Sequence, residues 1–174
     1  MQAFVTGGAG FIGTNLIKRL LKDGHKVISI DNYSTGFKEN ELKGCQYFDL
    51  DITRRINYSS FMDKVDVIFH LAALPRIKPS FVNPTEVIDV NVNGTVNILE
   101  YARLNQIPVI YAGSSSFHGG VYKNPYTFSK WQGEEICKLY ERIYGLSVTI
   151  CRFYNVYGDY MPMSGGYRTV LPIF

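Results

Sequence analysis

A chain of 174 residues has room for one hydrophobic core and little beside it. Its hydrophobic content of 46% and charged content of 19% are typical of a water-soluble globular domain, and a net charge of +3 without a block of Lys and Arg argues against a nucleic-acid partner. Three cysteines without a CxxC pair favour a reducing compartment, and no leader sequence or apolar span is apparent, so we expect a cytoplasmic protein with no membrane partner.

Apolar runs alternate with amphipathic segments along the whole chain. Strands are predicted at Ala3–Thr6, Lys26–Ile30, Gln46–Phe48, Val65–His70, Val109–Ala112 and Ser147–Arg152. Helices are predicted at Phe11–Asp23, Tyr58–Lys64, Pro84–Asn105 and Tyr126–Tyr144. This alternation predicts an α/β fold, a Rossmann-type doubly wound parallel sheet with helices on both faces.

The first strand and the first helix are joined by a turn with Gly7, Gly10 and Gly13 in a GxxGxxG spacing. In such a turn the first glycine permits a tight bend, the next lets the backbone approach a diphosphate, and the third lets helix and sheet pack closely. The diphosphate would lie at the helix N-terminus, where unpaired N–H groups favour an anion. A turn that merely needs glycines is the alternative, but the position between strand and helix favours a dinucleotide site.

Asp31 stands at the end of the second predicted strand, 18 residues after Gly13. Its carboxylate is placed to accept hydrogen bonds from the adenosine ribose, and it would repel a 2′-phosphate. No Arg or Lys follows it until Lys38. The sequence therefore predicts NAD as the cofactor rather than NADP.

Later strand ends supply further candidates, because open α/β sheets bind ligands at the carboxyl ends of their strands. Asp51-Ile52 follows the third strand and is a candidate for holding the adenine, and Leu71-Ala72-Ala73 follows the fourth with little bulk to exclude a cofactor. His70 has no second ligand at helical or strand spacing. We interpret it as a hydrogen-bonded strand-end histidine and predict no metal site.

Tyr126 and Lys130 are four residues apart in a predicted helix and so lie on one face. An ammonium about 4 Å from a phenolate stabilises it by roughly 4 kcal/mol at an effective dielectric constant of about 20. This suffices to make Tyr126 a general base near neutral pH, for proton transfer coupled to hydride transfer at a carbinol carbon. The pair alone is common by chance, but Ser114-Ser115-Ser116 brings hydroxyls to the same sheet edge. A polar loop is the alternative reading of these serines.

Together these motifs resemble the NAD-dependent sugar-nucleotide epimerase/dehydratase family of the extended short-chain dehydrogenase/reductases. The resemblance runs from Val5 to about Gly158. The matching stretches are TGGAGFIG at 6–13, Asp31-Asn32, Asp51-Ile52, His70-Leu71-Ala72-Ala73, Asn91-Val92-Asn93-Gly94-Thr95, the serine strand end, the tyrosine–lysine helix, and Arg152-Phe153-Tyr154-Asn155-Val156-Tyr157-Gly158. They cover nearly the whole chain but only about half of a usual family member.

The resemblance implies roles for individual residues. Tyr126 would be the catalytic base, Lys130 its electrostatic partner and a ribose ligand, and Ser114 the catalytic hydroxyl. Phe153 would lie beside the nicotinamide. NAD would also be contacted by Gly7, Gly10, Phe11, Ile12, Gly13, Asp31, Asn32, Asp51, Ile52, Leu71, Ala72, Ala73 and Asn91. A nucleotide-sugar substrate would be contacted by Ser115, Ser116 and Asn155.

Ser115 and Ser116 also bear on the reaction that the resemblance implies. Dehydratases of the family usually carry Asp-Glu at these positions, to protonate a leaving hydroxyl and remove an α-proton, and two serines cannot do that work. Epimerisation needs only oxidation, rotation of the keto sugar and return of the hydride, and it is the expected activity. A related oxidoreductase or dehydratase and a catalytically silent NAD-binding protein remain alternatives. Phe117-His118-Gly119 departs from the family's usual Val-Tyr-Gly.

After Gly158 the sequence changes to a loop. We expect residues 1–158 to form the NAD-binding domain with its catalytic residues, and 159–174 to begin a substrate-binding region whose remainder is missing. The predicted helices 84–105 and 126–144 carry apolar residues on more than one side. Family members often dimerise by packing these two helices into a four-helix bundle, so we expect a homodimer through them. The alternative is that a C-terminal half of the protein covers these apolar residues.

Overall fold

The structure is a computed structural model that describes residues 1–60, 62 and 64–162. Within these residues six strands form one sheet: β1 (Gln2–Thr6), β2 (Lys26–Asp31), β3 (Cys45–Asp49), β4 (Val67–His70), β5 (Val109–Ser114) and β6 (Val148–Phe153). The same residues contain five α-helices: α1 (Phe11–Lys22), α2 (Ile77–Val82), α3 (Pro84–Ile88), α4 (Gly94–Asn105) and α5 (Pro125–Tyr144). A π-helical segment, Asp89–Asn93, joins α3 to α4 without a break, so the helix predicted at Pro84–Asn105 is confirmed with one irregular turn inside it.

The strands lie in the order β3-β2-β1-β4-β5-β6, and every neighbouring pair is parallel. The chain moves outward from β1 to β3 and then starts again on the other side of β1 with β4. At such a reversal the loops after the two central strands diverge and leave a crevice at the carboxyl edge of the sheet. The predicted doubly wound fold is confirmed, and the crevice lies between the glycine turn after β1 and the loop after β4.

Alternation along β1 sends successive side chains to opposite faces of the sheet. Ala3 and Val5 pack with Ile17 and Leu20 of α1 on one face. Phe4 packs on the other face, in a larger cluster with α4 and α5. The members of that cluster from α4 and α5 are Ile98, Leu99, Tyr101, Ala102, Cys137 and Tyr140. Helices therefore cover both faces, as the sequence predicts.

Two short segments differ from the prediction. The helix expected at Tyr58–Lys64 is wrong, because the described residues hold only a 3₁₀ turn at Tyr58–Ser60, while 61 and 63 lie outside them. The Tyr58 ring is buried against Phe4 and Tyr101, so a tertiary aromatic contact positions this segment. Helix α2 is absent from the prediction. It contains Pro79, which is tolerated since it lies in the first turn, where no intrahelical N–H bond is lost.

The start of α5 is fixed by local sequence. The side-chain oxygen of Asn124 accepts a hydrogen bond from the backbone N–H of Thr127 at 2.8 Å, and Pro125 occupies the first helical position. Tyr126 and Lys130 thereby fall in the first two turns. At 20 residues α5 is the longest described helix, and neither it nor any other helix of the described chain is long and apolar enough to cross a membrane.

Two glycines let α5 lie close against β5. A Cβ added to Gly133 of α5 would lie 2.1 Å from the hydroxyl of Tyr111, and a Cβ added to Gly113 of β5 would lie 2.7 Å from a carboxylate oxygen of Glu134. Real Cβ atoms do not approach so closely, so a larger residue at either position requires the opposing side chain, or the helix itself, to shift. The spacing between α5 and β5 therefore depends on these glycines.

Candidate active site

The glycine turn forms a backbone cradle at the carboxyl end of β1. Gly7 has φ +75°, and a Cβ there would lie 2.8 Å from the backbone of Ala72. A Cβ on Gly13 would lie 2.1 Å from the Gly7 carbonyl oxygen, and the Gly10 N–H donates to that oxygen at 3.3 Å. The first turn of α1, with Phe11 and Ile12, presents N–H groups that have no intrahelical acceptor. A cradle that any side chain would fill, at a helix N-terminus, fits a diphosphate.

Asp31 lies beside this turn at the end of β2, with 8% of its surface exposed. Its carboxylate accepts hydrogen bonds from the backbone N–H groups of Ala9 and Tyr33, both at 2.9 Å. Burial raises the pKa of this carboxyl, and the two hydrogen bonds act in the opposite direction. Each carboxylate oxygen has a second lone pair, so Asp31 can hold the turn in place and still accept from a ribose hydroxyl.

Asn32 and Asp51 meet at the same sheet edge, where the Asn32 amide donates to the Asp51 carboxylate at 3.0 Å. Asp51 also accepts from the backbone N–H and the hydroxyl of Thr53, both at 2.8 Å. Burial raises the pKa of the Asp51 carboxyl, but these hydrogen bonds outweigh it and the pKa is lowered. Ile52 is different, because it is buried in the core against Gly94. Asn32 and Asp51 are thus the polar groups of this edge.

His70, at the end of β4, is buried and hydrogen-bonded on both sides. Its Nδ1 lies 2.7 Å from Thr6 Oγ1 and its Nε2 lies 3.0 Å from Thr95 Oγ1. Thr95 donates to the Asn91 carbonyl, and Thr6 accepts from the Ala72 N–H. Both ring nitrogens therefore have a suitable partner when Nε2 carries the proton, because Nε2 then donates to the Thr95 hydroxyl and Nδ1 accepts from the Thr6 hydroxyl. Burial lowers the pKa of His70 to about 3, and the charge of Lys130 adds to this. The prediction of a hydrogen-bonded strand-end histidine is confirmed.

Asn91 lies in the π-helical segment and is fully buried. Its amide nitrogen donates to the Leu74 carbonyl at 3.2 Å and to the Ser129 hydroxyl at 2.9 Å, while its amide oxygen accepts from the Leu74 N–H at 2.8 Å. The Ser129 hydroxyl donates in turn to the Tyr126 carbonyl. Asn91 therefore ties the loop after β4 to α5 from inside. We therefore expect Asn91 to contribute to cofactor binding indirectly, by holding Leu71-Ala72-Ala73 in position.

The predicted catalytic residues come together at the carboxyl end of β5. The Tyr126 hydroxyl donates to Ser114 Oγ at 3.4 Å. Ser114 is 8% exposed, and its hydroxyl lies 2.8 Å from that of Ser116 and accepts from the Ser116 N–H at 3.3 Å. Ser115, half-buried, begins the 3₁₀ turn Ser115–Gly119. A phenol and two serine hydroxyls thus share one short hydrogen-bonded cluster.

Lys130 lies one turn after Tyr126 and is 5% exposed. Its ammonium lies 4.2 Å from the centroid of the Tyr111 ring, over the face where an aromatic quadrupole attracts a cation. Burial lowers the pKa of Lys130 to about 8, while Cys137 and Glu134 act in the opposite direction. At pH 7 the side chain is still mostly protonated. The site therefore holds a buried cation one helical turn after the candidate base.

Phe153 ends β6 and lines an open cleft of about 500 Å³. Phe11, Ile12 and Leu71, also predicted to contact the cofactor, line the same cleft. Asn155 lies on an exposed bend just past β6. The fold thus brings the predicted nicotinamide neighbour, the glycine turn and the loop after β4 to one apolar space.

Sequence reasoning missed Glu134, Arg152 and Tyr111, all of which contact the site. Glu134 lies one turn after Lys130 on the same face of α5, and this spacing is the sequence feature that could have indicated its place in the site. Its ion pair with Arg152, at 2.7 Å, joins α5 to β6 and follows from no local spacing. For metals, the described part of the chain contains no group of three or more His, Cys, Asp or Glu side chains that could hold an ion.

A parallel sheet that reverses beside a glycine turn, with an acid at the end of its second strand, defines a dinucleotide-binding domain. The chain belongs to the NAD dependent epimerase/dehydratase family, whose pattern it matches over residues 3–174. The family resemblance and the cofactor NAD, both predicted from the sequence, are confirmed by this membership.

Individual relatives within the family differ in their reactions. A putative UDP-glucose 4-epimerase of Methanocaldococcus jannaschii is 38% identical over 176 residues, which cover 89% of this chain and 56% of the relative. A UDP-N-acetyl-alpha-D-glucosaminuronate decarboxylase of Bacillus cytotoxicus is 32% identical over 193 residues, covering 99% of this chain and 60% of the relative. Among solved structures, the UDP-glucose 4-epimerase of Thermotoga maritima with UDP-glucose superimposes with a TM-score of 0.92 at 27% identity, covering 99% of this chain and 61% of that one.

This chain therefore spans somewhat more than half the length of the relatives it matches. An epimerase and a decarboxylase are both among them, so the particular reaction has to be argued from the residues of this chain.

Proposed function

We propose that this chain carries the NAD-binding and catalytic part of a nucleotide-sugar epimerase that works through a transient keto sugar. The observation that carries the proposal is the Tyr126 hydroxyl, 3.4 Å from Ser114 Oγ, with the Lys130 ammonium buried one helical turn away. A phenol, a hydroxyl and a cation at the carboxyl edge of a dinucleotide-binding sheet suffice to take a proton from a sugar hydroxyl and to return it.

Each of the three residues has its own part in the proposed reaction. Tyr126 removes the proton from the sugar hydroxyl, and Lys130 stabilises the resulting phenolate, strongly so because a buried charge is little screened by water. Ser114 donates a hydrogen bond to the sugar oxygen as that oxygen becomes a carbonyl. Bound NAD would supply the acceptor and later the donor of the hydride at the carbinol carbon. After the keto sugar has rotated, Tyr126 returns the proton and no acid or base is consumed.

For the cofactor we propose the contacts that the sequence predicted. Gly7, Gly10 and Gly13 with the start of α1 would hold the diphosphate, and Asp31 would accept from the adenosine ribose. Polar groups at the ends of β2 and β3 would face the adenine, and apolar residues of the cleft would surround the nicotinamide. The residues in question are Asn32 and Asp51 for the adenine and, on the nicotinamide side, Phe11, Ile12, Leu71 and Phe153 of the cleft together with Ala72 and Ala73, which follow Leu71.

Ser115 and Ser116 favour epimerisation over the related eliminations. A dehydratase needs an acid for the leaving hydroxyl and a base for the α-proton, and both residues are neutral hydroxyls with little acid or base strength near pH 7. Among the described residues, the carboxylate that contacts this strand end is Glu134, which is committed to Arg152. The decarboxylase among the relatives makes decarboxylation the alternative to be tested.

A nucleotide sugar is the proposed substrate, since the T. maritima relative was solved with UDP-glucose. Ser115, Ser116 and the exposed Asn155 are the residues of this chain proposed to contact it. We retain the division into an NAD-binding domain, 1–158, and the start of a substrate-binding region from Asp159. The Asp159 carbonyl accepts from the Asn15 amide at 2.8 Å, so this region begins against α1. Most of it, 163–174, lies outside the described residues.

We also propose that the protein forms a homodimer through α5 and the helical run α3–α4. Of the apolar residues of the two predicted helices, Val87, Leu99, Tyr101 and Tyr140 belong to the buried core. Support for the dimer comes from aromatic rings left on the outer face of α5 and the turn before it: the Phe128 and Trp131 rings lie 5.5 Å apart, and Tyr122, packed beside both, is 82% exposed. An exposed aromatic patch of this kind is typical of a protein interface.

The test is to incubate the protein with NAD and a panel of nucleotide sugars that includes UDP-glucose, UDP-galactose and UDP-glucuronate. Proton NMR would follow the sugars, and absorbance would follow NADH. Interconversion of two epimers without net NADH is the expected result. Release of CO₂ from UDP-glucuronate would favour the decarboxylase, net NADH an oxidoreductase, and NAD binding without any conversion a silent protein. Each of these three results would overturn the proposal.

A further inference from the structure

Glu134 is an acidic side chain buried inside the domain, between α5 and the ends of β5 and β6. Only 1% of its side chain is exposed. The Arg152 guanidinium donates to Glu134 Oε2 from Nε at 2.9 Å and from a terminal nitrogen at 2.7 Å, and Nε also reaches Oε1 at 3.3 Å. These charge-assisted hydrogen bonds hold both side chains in one orientation.

The carboxylate also reaches the backbone of the candidate catalytic serine. The Ser114 N–H donates to Glu134 Oε1 at 3.4 Å. Gly113 makes this approach possible, because a Cβ there would lie 2.7 Å from the same oxygen. In the β5–β6 ladder Gly113 is opposite Arg152 and Ser114 is opposite Phe153. The ion pair therefore lies directly beneath the strand ends that carry the candidate site.

Arg152 continues the contact on the other side of Ser114. Its guanidinium lies 4.4 Å from the centroid of the Phe117 ring. Phe117 belongs to the 3₁₀ turn Ser115–Gly119, which follows Ser114 directly. Glu134 thus holds the backbone at Ser114 while Arg152 holds the turn that comes next, so the direction of the Ser114 side chain is set from both sides.

Such a pair is not required for stability as such. Burying the Glu134 charge costs about as much free energy as its attraction to Arg152, whose side chain is 32% exposed, returns, and apolar residues of similar volume often serve a fold equally well. What the hydrogen-bonded pair adds is a fixed geometry. On the proposed epimerase function, that geometry matters at Ser114, whose hydroxyl has to face Tyr126 and the sugar oxygen.

We propose that Glu134 and Arg152 are positioning residues, which fix the end of β5 so that the Ser114 hydroxyl is presented to Tyr126 and the substrate. This deepens the proposed function and rests on it for its catalytic consequence, while the fixing of the strand end is a claim of its own. The charge of Glu134 also acts on Lys130 of the same helix, so the substitutions and measurements are chosen to separate position from charge.

The test compares Glu134→Gln with Glu135→Gln in the NAD-loaded protein. Glu135 is the neighbouring residue, and its pair with Lys138 is exposed, so the same chemical change is made outside the site. For Glu134→Gln we expect kcat to fall about 10-fold to 100-fold, the cost of a small misplacement of a reacting group, with KM and NAD affinity within about twofold. Amide hydrogen exchange at Ser114 should become faster, while the amides of β1 stay unchanged. Glu135→Gln should change none of these quantities.

A second variant covers the case in which Glu134→Gln unfolds. Glu134→Leu combined with Arg152→Met replaces both charges by apolar groups of similar size and leaves no unpaired charge in the core. If this variant melts like the parent but retains its low kcat and fast Ser114 exchange, the positioning role stands. A stable double variant with parental kcat and parental exchange would overturn it.

The exchange measurement also separates this inference from the proposed function. If the parent protein shows no epimerisation, the proposed function fails. The hydrogen-exchange rate of the Ser114 amide then tests by itself whether the Glu134–Arg152 pair fixes the end of β5. Faster exchange in Glu134→Gln then supports the fixing of the strand end, and unchanged exchange contradicts it.

Discussion

At the scale of single residues, Lys130 is a cation whose surroundings differ strongly from water. Its ammonium is buried over the ring of Tyr111, and burial lowers the pKa to about 8 from 10.5. The folded protein thus binds this proton less tightly than the unfolded chain does. Such a lysine is costly for the fold and useful beside a phenol that has to lose a proton.

The pKa of Lys130 predicts how stability should depend on pH. Between about pH 8 and pH 10.5 the unfolded chain holds the proton while the folded one releases it, so the free energy of unfolding should rise with pH. The rise from this group amounts to roughly 3 kcal/mol, at about 1.4 kcal/mol per pKa unit. Other groups also titrate in this range. The difference between the parent protein and Lys130→Met, from urea unfolding at each pH, isolates the lysine, and a difference that stays flat from pH 8 to 10.5 would show that it is not buried as a cation.

Asp31 supports a prediction about cofactor choice. Removing its carboxylate in Asp31→Ala takes away a ribose acceptor and the repulsion of a 2′-phosphate, so NAD should bind about 10-fold more weakly and NADP at least as well as before. Calorimetric titration of both cofactors measures this. Asn40→Ala is a control, because its amide also contacts the glycine turn, at the Ala9 carbonyl, but carries no charge. Equal affinity of the parent protein for NAD and NADP would contradict the assignment.

Local sequence motifs predict part of the site, but other residues of the site could not be predicted from them. Gly7, Asp31 and the Tyr126–Lys130 spacing each sit at a fixed distance from a strand or helix end, so sequence order alone places them. Glu134 pairs with Arg152 across two elements, and only the finished sheet brings them together. Asn91 was chosen by resemblance, but burial turns its amide inward to Leu74 and Ser129.

At the scale of elements, the distance between α5 and β5 decides how the site is assembled. Tyr126 and Lys130 lie on the helix, whereas Ser114 lies on the strand. The helix start was predictable from Asn124-Pro125. The close approach was not, because it depends on glycines whose opposing atoms are distant in sequence.

Gly133→Ala tests this packing. Its Cβ would lie 2.1 Å from the Tyr111 hydroxyl, so the Tyr111 side chain or α5 has to shift, and we expect a loss of about 1–3 kcal/mol in unfolding free energy. A shift of α5 should also lengthen the distance from Tyr126 to Ser114. Gly119→Ala is the matched control, since a Cβ there meets nothing within 4 Å, and its effect should stay within about 0.5 kcal/mol. Equal stability of the two variants would refute the packing account.

The errors in predicting elements have a common cause. The segment at Tyr58 has an apolar pattern that favours a helix, but its ring is captured by Phe4 and Tyr101 in the core. Helix α2 contains Pro79. Proline is unfavourable inside a helix, but the first turn tolerates it. In both places tertiary context or position within the element outweighed local preference.

At the scale of the whole molecule, the dimer is the prediction that depends most on surface rather than core. Light scattering at micromolar concentration should give twice the mass of the chain. Trp131→Arg places a charge in the aromatic patch of α5 and should yield a monomer. Phe37→Arg, at a position 47% exposed and outside these helices, should leave the dimer intact. A monomeric parent protein, or a dimer that survives Trp131→Arg, would count against the interface.

The relatives are longer than this chain, and their reactions diverge within one family, so the whole fold says less about the reaction than Ser114, Tyr126 and Lys130 do. The central claim is that Tyr126 exchanges a proton with a sugar hydroxyl while the hydrogen on the same carbon leaves and returns.

The nucleotide sugar that the substrate panel identifies, deuterated at the carbon that is epimerised, tests this claim most directly when it is incubated with the NAD-loaded protein and followed by NMR and mass spectrometry. We predict an epimer that retains the deuterium, no accumulation of NADH, and no conversion by Tyr126→Phe, which should still bind NAD. Exchange of the deuterium with solvent, or conversion by Tyr126→Phe at a rate near that of the parent, would contradict the account.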